Sequence, residues 1–314
     1  EIIKAINKGI NAPDNWGFGQ GWNEDVVTCG RYHNGNAFYH ANYGDGKFIA
    51  LGGGESPTGY VNLRNNFISY HSDIWGKKAT SSFTTTIADI PNLALFPNEA
   101  FYTDSKSEIA YDPRYNNHLF IGRENKIWKS EDEGNSFTLI NEFGNDTSNQ
   151  ITGIEISRQN PNIIFVAQRL YYDSKLWLTQ DGGISWTAVP FPNSEYSLYI
   201  TMNENNVLFI ATGYGADYRI YKSSNLGSTW TNLTTMATFN QAISGIQVQL
   251  GTNDGIYIST GTNNLYYRNA TLSDWQLYNH GLPIHFKHNG ILPFYKNGEL
   301  RTSGSRGFWK TTLY

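Results

Sequence analysis

Three short stretches decide how the chain is read: Ser130-Glu-Asp-Glu-Gly-Asn-Ser-Phe137, Thr179-Gln-Asp-Gly-Gly-Ile-Ser-Trp186 and Ser223-Ser-Asn-Leu-Gly-Ser-Thr-Trp230. Each is Ser/Thr-x-Asp/Asn-x-Gly-x-Ser/Thr-aromatic, and positions 132, 181 and 225 are 49 and 44 residues apart. The chemistry is that of a tight hairpin. Asp or Asn bonds its own backbone two residues on, Gly accepts positive φ, and the hydroxyls hold further turn amides. The aromatic then re-enters a sheet and packs inward. One such turn every 40 to 50 residues is the spacing of a β-propeller built from four-stranded blades.

The apolar runs around these turns follow that rhythm. Runs at 108–111, 118–121, 126–129 and 137–140 form one set. Runs at 153–157, 163–167, 176–179 and 186–189 form the next, and 196–201, 207–211, 219–222 and 230–233 a third. A fourth set occupies 245–249, 255–259, 265–268 and 275–278, where Asn269-Ala-Thr-Leu-Ser-Asp-Trp275 is a degraded copy of the octapeptide. Only three runs follow (290–295, 299–302, 307–311), while five precede (26–29, 37–41, 47–51, 67–71, 82–87). Lending 26–29 to the last blade makes six closed blades: 37–87, 108–140, 153–189, 196–233, 245–278 and 290–311. The expectation is therefore an all-β, six-bladed propeller forming a single domain over residues 1–314. Seven blades is the alternative, since the stretch from Asp89 to Lys106 could hide strands.

The octapeptides resemble the Asp-box (BNR) motifs of sialidase-like propellers, which also occur in xyloglucan-specific glycosidases and many non-enzymatic propellers. That resemblance implies a structural role for Asp132, Gly134, Phe137, Asp181, Gly183, Trp186, Asn225, Gly227 and Trp230, and says little about chemistry. Two further stretches carry a second resemblance. Asn279-His-Gly-Leu-Pro283 with Leu292–Arg301 and Gly307-Phe-Trp-Lys310, and Gly21–Asn36 with Leu51–Tyr60, resemble propeller modules of large secreted Bacteroidetes proteins. Those proteins carry PKD-like domains and a type IX sorting tail, so the resemblance implies export, a cell-surface or extracellular setting, and other domains of a larger protein as partners.

Composition narrows the function classes. The 314 residues are 39% hydrophobic and 15% aromatic, ample for a core, and a net charge of −4 offers no basic stripe for nucleic acid. Charged residues are only 16%, so solubility rests on Asn, Ser, Thr, Tyr and Gly, as in secreted β proteins that meet sugars. Cys29 is the sole cysteine, which rules out an intramolecular disulfide and a Cys-based metal site. No run of apolar residues is long enough to span a membrane as a helix. The opening Glu1-Ile-Ile-Lys-Ala-Ile-Asn7 lacks a basic region and a long apolar core, so a signal peptide was removed or was never present. The sequence calls for no cofactor and leaves open a structural Ca²⁺ in the central channel.

If the octapeptides are strand 3–4 hairpins, ligand chemistry belongs to the opposite loop face, around the channel mouth. Candidate ligand-binding residues there are Glu55, Tyr60, Arg64, Arg123, Arg169, Tyr171, Tyr172, Asp173, Tyr214, Asp217 and Tyr218, with Glu124 beside Arg123. Aromatics stack on sugar faces and Arg grips carboxylates, so the expected partner is a carbohydrate or a cell-surface glycan. Arg31, Tyr32 and His33 are the candidate catalytic group. Arg31 and His33, two residues apart, would face the same side of an extended chain. They supply the residue types of a uronate-directed lyase, in which a base removes the proton beside a carboxylate that Arg neutralises. A glycoside hydrolase could pair Glu55 with Asp173 or Asp217, given a separation of roughly 5 to 10 Å. A sialidase is discounted because no Arg-Ile-Pro segment accompanies Arg31, Arg64 and Arg123. Gly52-Gly-Gly54 lacks the following helix of a phosphate loop. Three readings stay open: a binding module, a polysaccharide-degrading enzyme, and a non-catalytic scaffold.

Overall fold

Seven four-stranded antiparallel sheets make up the molecule. The structure is a computed structural model and describes residues 4–5, 14–53, 59–72, 75–84, 88–89, 108–194, 197–214, 217–235, 242–261, 264–283 and 286–314. The inner strands of blades 1 to 7 are Asn15–Gln20, Gly59–Val61, Glu108–Tyr111, Ile151–Ile156, Ser197–Met202, Ile243–Gln249 and His288–Phe294. In blades 1 to 6 the chain steps outward from the inner strand through three further strands, and in blade 7 through two. Among the described residues helix is confined to two single turns, Ala41–Tyr43 and Tyr295–Asn297.

The protein is thus an all-β, seven-bladed propeller, and the six-blade reading is corrected. Four of the five runs before residue 90 are strands of two blades, whereas residues 82–84 form no strand and 85–87 lie outside the described residues. Val26–Arg31 is the second strand of blade 1, paired with Asn15–Gln20 and Gly35–His40, and Phe48–Gly52 is its outer strand. Ile68–His71 is the second strand of blade 2, between Gly59–Val61 and Trp75–Lys78, with Ala88–Asp89 outermost. Of the stretch from Asp89 to Lys106, Asp89 ends the outer strand of blade 2 and the rest lies outside the described residues. The strands that the runs left out before residue 90 are Asn15–Gln20, Gly59–Val61, Trp75–Lys78 and Ala88–Asp89, whose composition or shortness hides them. A Cβ on Gly19 would lie 2.1 Å from the Gly59 carbonyl oxygen, so blades 1 and 2 approach only because both residues lack side chains. The ring does close with an N-terminal strand, but the strand is Lys4–Ala5. It pairs antiparallel with Trp309 and Lys310 of blade 7, which leaves 26–29 free to serve blade 1.

The octapeptides form the turns between third and fourth strands in blades 3, 4 and 5. In blade 4 the Thr179 hydroxyl donates to Asp181 Oδ1 at 2.6 Å and accepts from the Gly183 amide at 2.9 Å. Asp181 in turn accepts from the Ser185 amide and hydroxyl. Ser130, Asp132 and Ser136 repeat the pattern in blade 3. Ser223, Asn225 and Thr229 do so in blade 5, except that the Asn225 amide donates to the Thr229 hydroxyl instead of accepting from it. Hydrogen bonds from the turn pull the Asp181 carboxyl below its ordinary range, those from the Ser185 hydroxyl most of all.

The aromatic that follows reaches back to the preceding blade. Trp186 meets Phe143 edge-on at 5.1 Å, Trp230 Nε1 donates to the Pro190 carbonyl, and Trp275 Nε1 donates to that of Leu233. Glycine has two reasons to be there. Gly183 and Gly227 have φ of +101° and +85°, and a Cβ on them would lie 2.5 Å from Ile140 and 2.3 Å from Val189 of the preceding blade. Between blades, alternate residues of adjacent sheets form the core. Phe165, Leu176, Leu198 and Ile210 pack between blades 4 and 5, and Phe209, Ile220, Ile246 and Ile258 between blades 5 and 6.

Blade 1 is tied to blade 7 by charge as well. Arg301, 1% exposed, donates to Glu299 Oε2 at 2.9 and 3.1 Å and to Asp25 Oδ1 of blade 1 at 2.7 Å. Its guanidinium lies 3.8 Å from the centre of the Phe294 ring, and Lys310 bonds the other Glu299 oxygen.

Candidate functional site

Antiparallel order places the 1–2 and 3–4 turns of every blade on one face and the 2–3 turns and inter-blade links on the other. The octapeptides therefore define one face, and the sequence-predicted residues divide by this rule.

Arg31, Tyr32 and His33 sit in the tight 2–3 turn of blade 1, on the face opposite the octapeptides. The turn is not extended, because His33 has φ of +52°. Alternation therefore does not align it with Arg31. Arg31 folds onto its own turn, donating from Nε to the Gly35 carbonyl and from Nη2 to that of Asn34, at 3.1 and 2.6 Å. Tyr32 stacks on Trp16 at 5.3 Å with 23° between the rings, and the His33 ring lies 3.9 Å from that of Tyr32.

The 2–3 turn of blade 4 presents Tyr171 and Tyr172, 76% and 74% exposed, edge to face at 4.2 Å. Beside them Arg169 donates to Gln150 Oε1, and Asp173 accepts from the Ser174 amide. In blade 5, Tyr214 is 63% exposed and Asp217 pairs with Arg219 at 2.5 Å.

Three candidates are placed away from this surface. Tyr218 is 6% exposed, packed with Phe209, Ile220 and Ile246, because it alternates inward from Asp217. Arg123 is 1% exposed at the end of its strand, next to Glu124, whose φ of +49° makes the turn. Arg64 stands in the 1–2 turn of blade 2, on the octapeptide face, and pairs at 2.7 Å with Glu133 of the first octapeptide. Moving the inner strand of blade 2 to Gly59–Val61 carries Arg64 to the other face. Glu55 lies outside the described residues.

Tyr60 belongs to the channel. A central cavity of about 540 Å³ runs between the inner strands, and Tyr60 donates to Glu108 Oε2 at 2.9 Å in its wall. Burial, and then the Glu108 charge, hold the Tyr60 phenol far above its ordinary range. Glu155 of blade 4 also lines the cavity. Burial pushes its carboxyl up to about 8, with Glu108 adding to the shift, while Arg158 and the Met202 amide oppose it. At the octapeptide-face mouth, Arg158 of blade 4 reaches Trp22 of blade 1 on the opposite side of the ring, 5.8 Å from the ring centre. Sequence reading missed Glu108, Glu155 and Arg158. The signal was a carboxylate within each of two runs already read as innermost strands.

Among the described residues no group of three or more His, Cys, Asp or Glu is arranged to hold a metal ion. Cys29 is buried, and burial pushes its thiol up to about 12, so it is an inert core residue.

The comparisons follow the fold. Residues 125–244 match the model of the family described as Sortilin-Vps10 (sortilin, neurotensin receptor 3), a little over a third of the chain. No curated protein sequence matches. Among solved structures, the GH74 enzyme of Niastella koreensis is similar at 16% identity and a TM-score of 0.70, over 99% of this chain and 53% of its own length. The GH74 xyloglucanase from Xanthomonas campestris is similar at 13% identity and a TM-score of 0.69, again with 99% and 53% covered. The chain thus spans about half the length of these two enzymes. A streptogramin B lyase is similar at 13% identity and a TM-score of 0.71, over 99% of this chain and 97% of its own. At such identities the likeness shows the β-propeller fold, which hosts more than one chemistry.

Proposed function

We propose that the chain is a secreted or cell-surface module that binds carbohydrate through the loop face opposite the octapeptides. The Asp-box reading of the octapeptides and kinship with large secreted Bacteroidetes proteins belong to the same proposal. The observation that carries it is the Tyr171–Tyr172 pair. Two adjacent aromatic rings left about three-quarters exposed on a rigid hairpin leave apolar surface unburied, and they present a flat face and an edge to a flat ligand. Tyr214 on the next blade and the Trp16–Tyr32 stack add aromatic surface to that face. Low charge with many hydroxyl and amide side chains suits a neutral, hydroxyl-rich partner. Binding is favoured over catalysis because Arg31 turns its Nε and Nη2 donors back onto the Gly35 and Asn34 carbonyls of its own turn, where a lyase would direct the guanidinium at a substrate carboxylate.

A glycan array tests this directly. The chain retains a subset of plant or microbial glycans, and Tyr171→Ala with Tyr172→Ala weakens retention about tenfold or more at unchanged thermal stability, a loss of about 1.4 kcal/mol of ring contact. An empty array, or equal retention by the double variant, overturns the proposal in favour of a scaffold role. New ultraviolet absorbance or new reducing ends from acidic polysaccharides, abolished by His33→Ala, would establish the enzyme reading instead.

A further inference from the structure

The central cavity holds a charge imbalance that the sugar-binding surface does not use. Glu108 and Glu155 project from the inner strands of adjacent blades, and among the described residues neither has an ion-pair partner. Glu108 receives one hydrogen bond, from Tyr60. Of the other charged groups lining the cavity, Asp112 is neutralised by both donors of Arg114, at 2.7 and 3.0 Å. Arg158 is drawn to the rim over Trp22. The charged groups that act on Glu155 are Arg158 and Glu108, and of the two only Arg158 is a cation. A partly buried carboxylate without an ion-pair partner is costly, so it either takes up a proton or recruits a cation. For Glu155 burial pushes the carboxyl up to about 8, which favours the first.

The walls indicate which cation. An inorganic divalent ion needs about six oxygen ligands with charged ones among them, and among the described residues no three His, Cys, Asp or Glu side chains come together to hold one. The cavity is instead lined by Tyr60, Tyr111, Tyr199, Phe18 and Tyr295, with Ile154 and Ile200 between them. Aromatic faces attract ammonium groups, and the rim shows it in the stacking of Arg158 on Trp22. The volume of about 540 Å³ is that of a small-molecule site. We propose that the central cavity binds a small organic cation carrying a protonated amine, with Glu155 and Glu108 as its counter-charges and the tyrosine rings as its walls.

The amine enters already protonated and stabilises ionised Glu155, so the Glu155 proton leaves to solvent on binding. Titration calorimetry of the full chain with 1,4-diaminobutane, spermidine and benzylamine at pH 7, in two buffers of different ionisation enthalpy, reads both affinity and proton release. The amines bind with release approaching one proton, whereas 1,4-butanediol does not bind. Glu155→Gln weakens binding about tenfold, or 1.4 kcal/mol, and abolishes the release. Glu108→Gln weakens binding with the release retained, and Arg158→Ala tightens it by removing a like charge. Tyr171→Ala leaves it unchanged, which separates this site from the sugar surface. Absence of heat with all three amines, equal binding of the diol, or unaltered affinity in Glu155→Gln overturns the proposal. If Glu155→Gln does not fold by circular dichroism, the opposite shifts in Glu108→Gln and Arg158→Ala decide it, and the absence of either shift overturns it.

Discussion

Replacing Arg301 by Met keeps most of the side-chain length and removes the charge at the seam between blades 7 and 1. The wild-type guanidinium is 1% exposed and serves two carboxylates, Glu299 and Asp25, while stacking on Phe294. Removing one member of a buried ionic cluster costs about 3–5 kcal/mol, because the remaining charges stay desolvated. Two features pull toward the lower end. Lys310 still pairs with Glu299, and the Asp25 side chain keeps 28% of its surface in water, so part of its charge is re-solvated. Loss of the cation–π contact adds about 1 kcal/mol. A net loss of about 3–4 kcal/mol is expected in urea unfolding at 25 °C, read as a lower midpoint at constant slope. Substituting the cluster as a set, Arg301→Met with Glu299→Met and Asp25→Asn, recovers most of that loss, since no unpaired carboxylate is left. A loss below about 1 kcal/mol in the single variant would refute the reasoning, and so would a triple variant no more stable than the single one. The pH response gives a second reading. Burial alone would raise the Glu299 carboxyl, but the hydrogen bonds from Lys310 and Arg301 outweigh it and hold the group below its ordinary range. Its stabilising share is present above the unfolded carboxylate value of about 4.3 and is lost as pH falls through the lower folded value, so Arg301→Met blunts this part of the acid transition.

Gly227→Ala is expected to destabilise by about 2 kcal/mol or more, because the left-handed backbone and the 2.3 Å approach of Val189 both oppose a Cβ, whereas Gly144→Ala, also at positive φ but with open space around it, costs only the backbone strain of about 1 kcal/mol; thermal unfolding of both separates the two contributions. Three buried histidines, His40, His71 and His288, make the fold acid-sensitive, since burial lowers each below its ordinary value. Burial lowers His288 to about 4 and His71 to about 3, so below pH 6.5 the unfolded chain gains protons that the folded one cannot, and stability drops as pH falls through that window; His288→Gln flattens the slope between pH 6.5 and 4 in urea midpoints, and an unchanged slope would count against the assignment.

The legible part of this molecule was its local chemistry. Ser130, Thr179 and Ser223, each two residues before an Asp or Asn and four before a Gly, specify a turn from contacts within eight residues, and the structure shows the same hydrogen bonds in all three. The strands around them are Val, Ile, Leu and Phe runs that burial on both faces of a blade demands. Blades 1 and 2 were miscounted because their distinguishing strands carry little side chain. Asn15-Trp-Gly-Phe-Gly-Gln20 and Gly59-Tyr-Val61 look like loops, yet the glycines are what let two inner strands meet at the narrow axis. Trp75-Gly-Lys-Lys78 is too polar to read as a strand, and a two-residue closing strand leaves no pattern at all.

The candidate site divides in the same way. Tyr171, Tyr172 and Tyr214 were readable because a hairpin tip is exposed wherever the hairpin stands. Tyr218, Arg123 and Arg64 were not, since one step along a strand turns a side chain from solvent to core, and a shift of blade register moves a turn to the other face. The sequence by itself determined that the chain repeats, that the repeats are hairpins, and that the chain is all-β, because those properties depend on neighbours within a few residues. Only the tertiary structure decided that the octapeptides divide one face from the other in a ring of seven, and that Glu108 of one blade, Glu155 of the next and Tyr60 of a third line one cavity. Those facts depend on how many wedges fill a circle, a packing property to which each blade contributes equally and which none encodes alone.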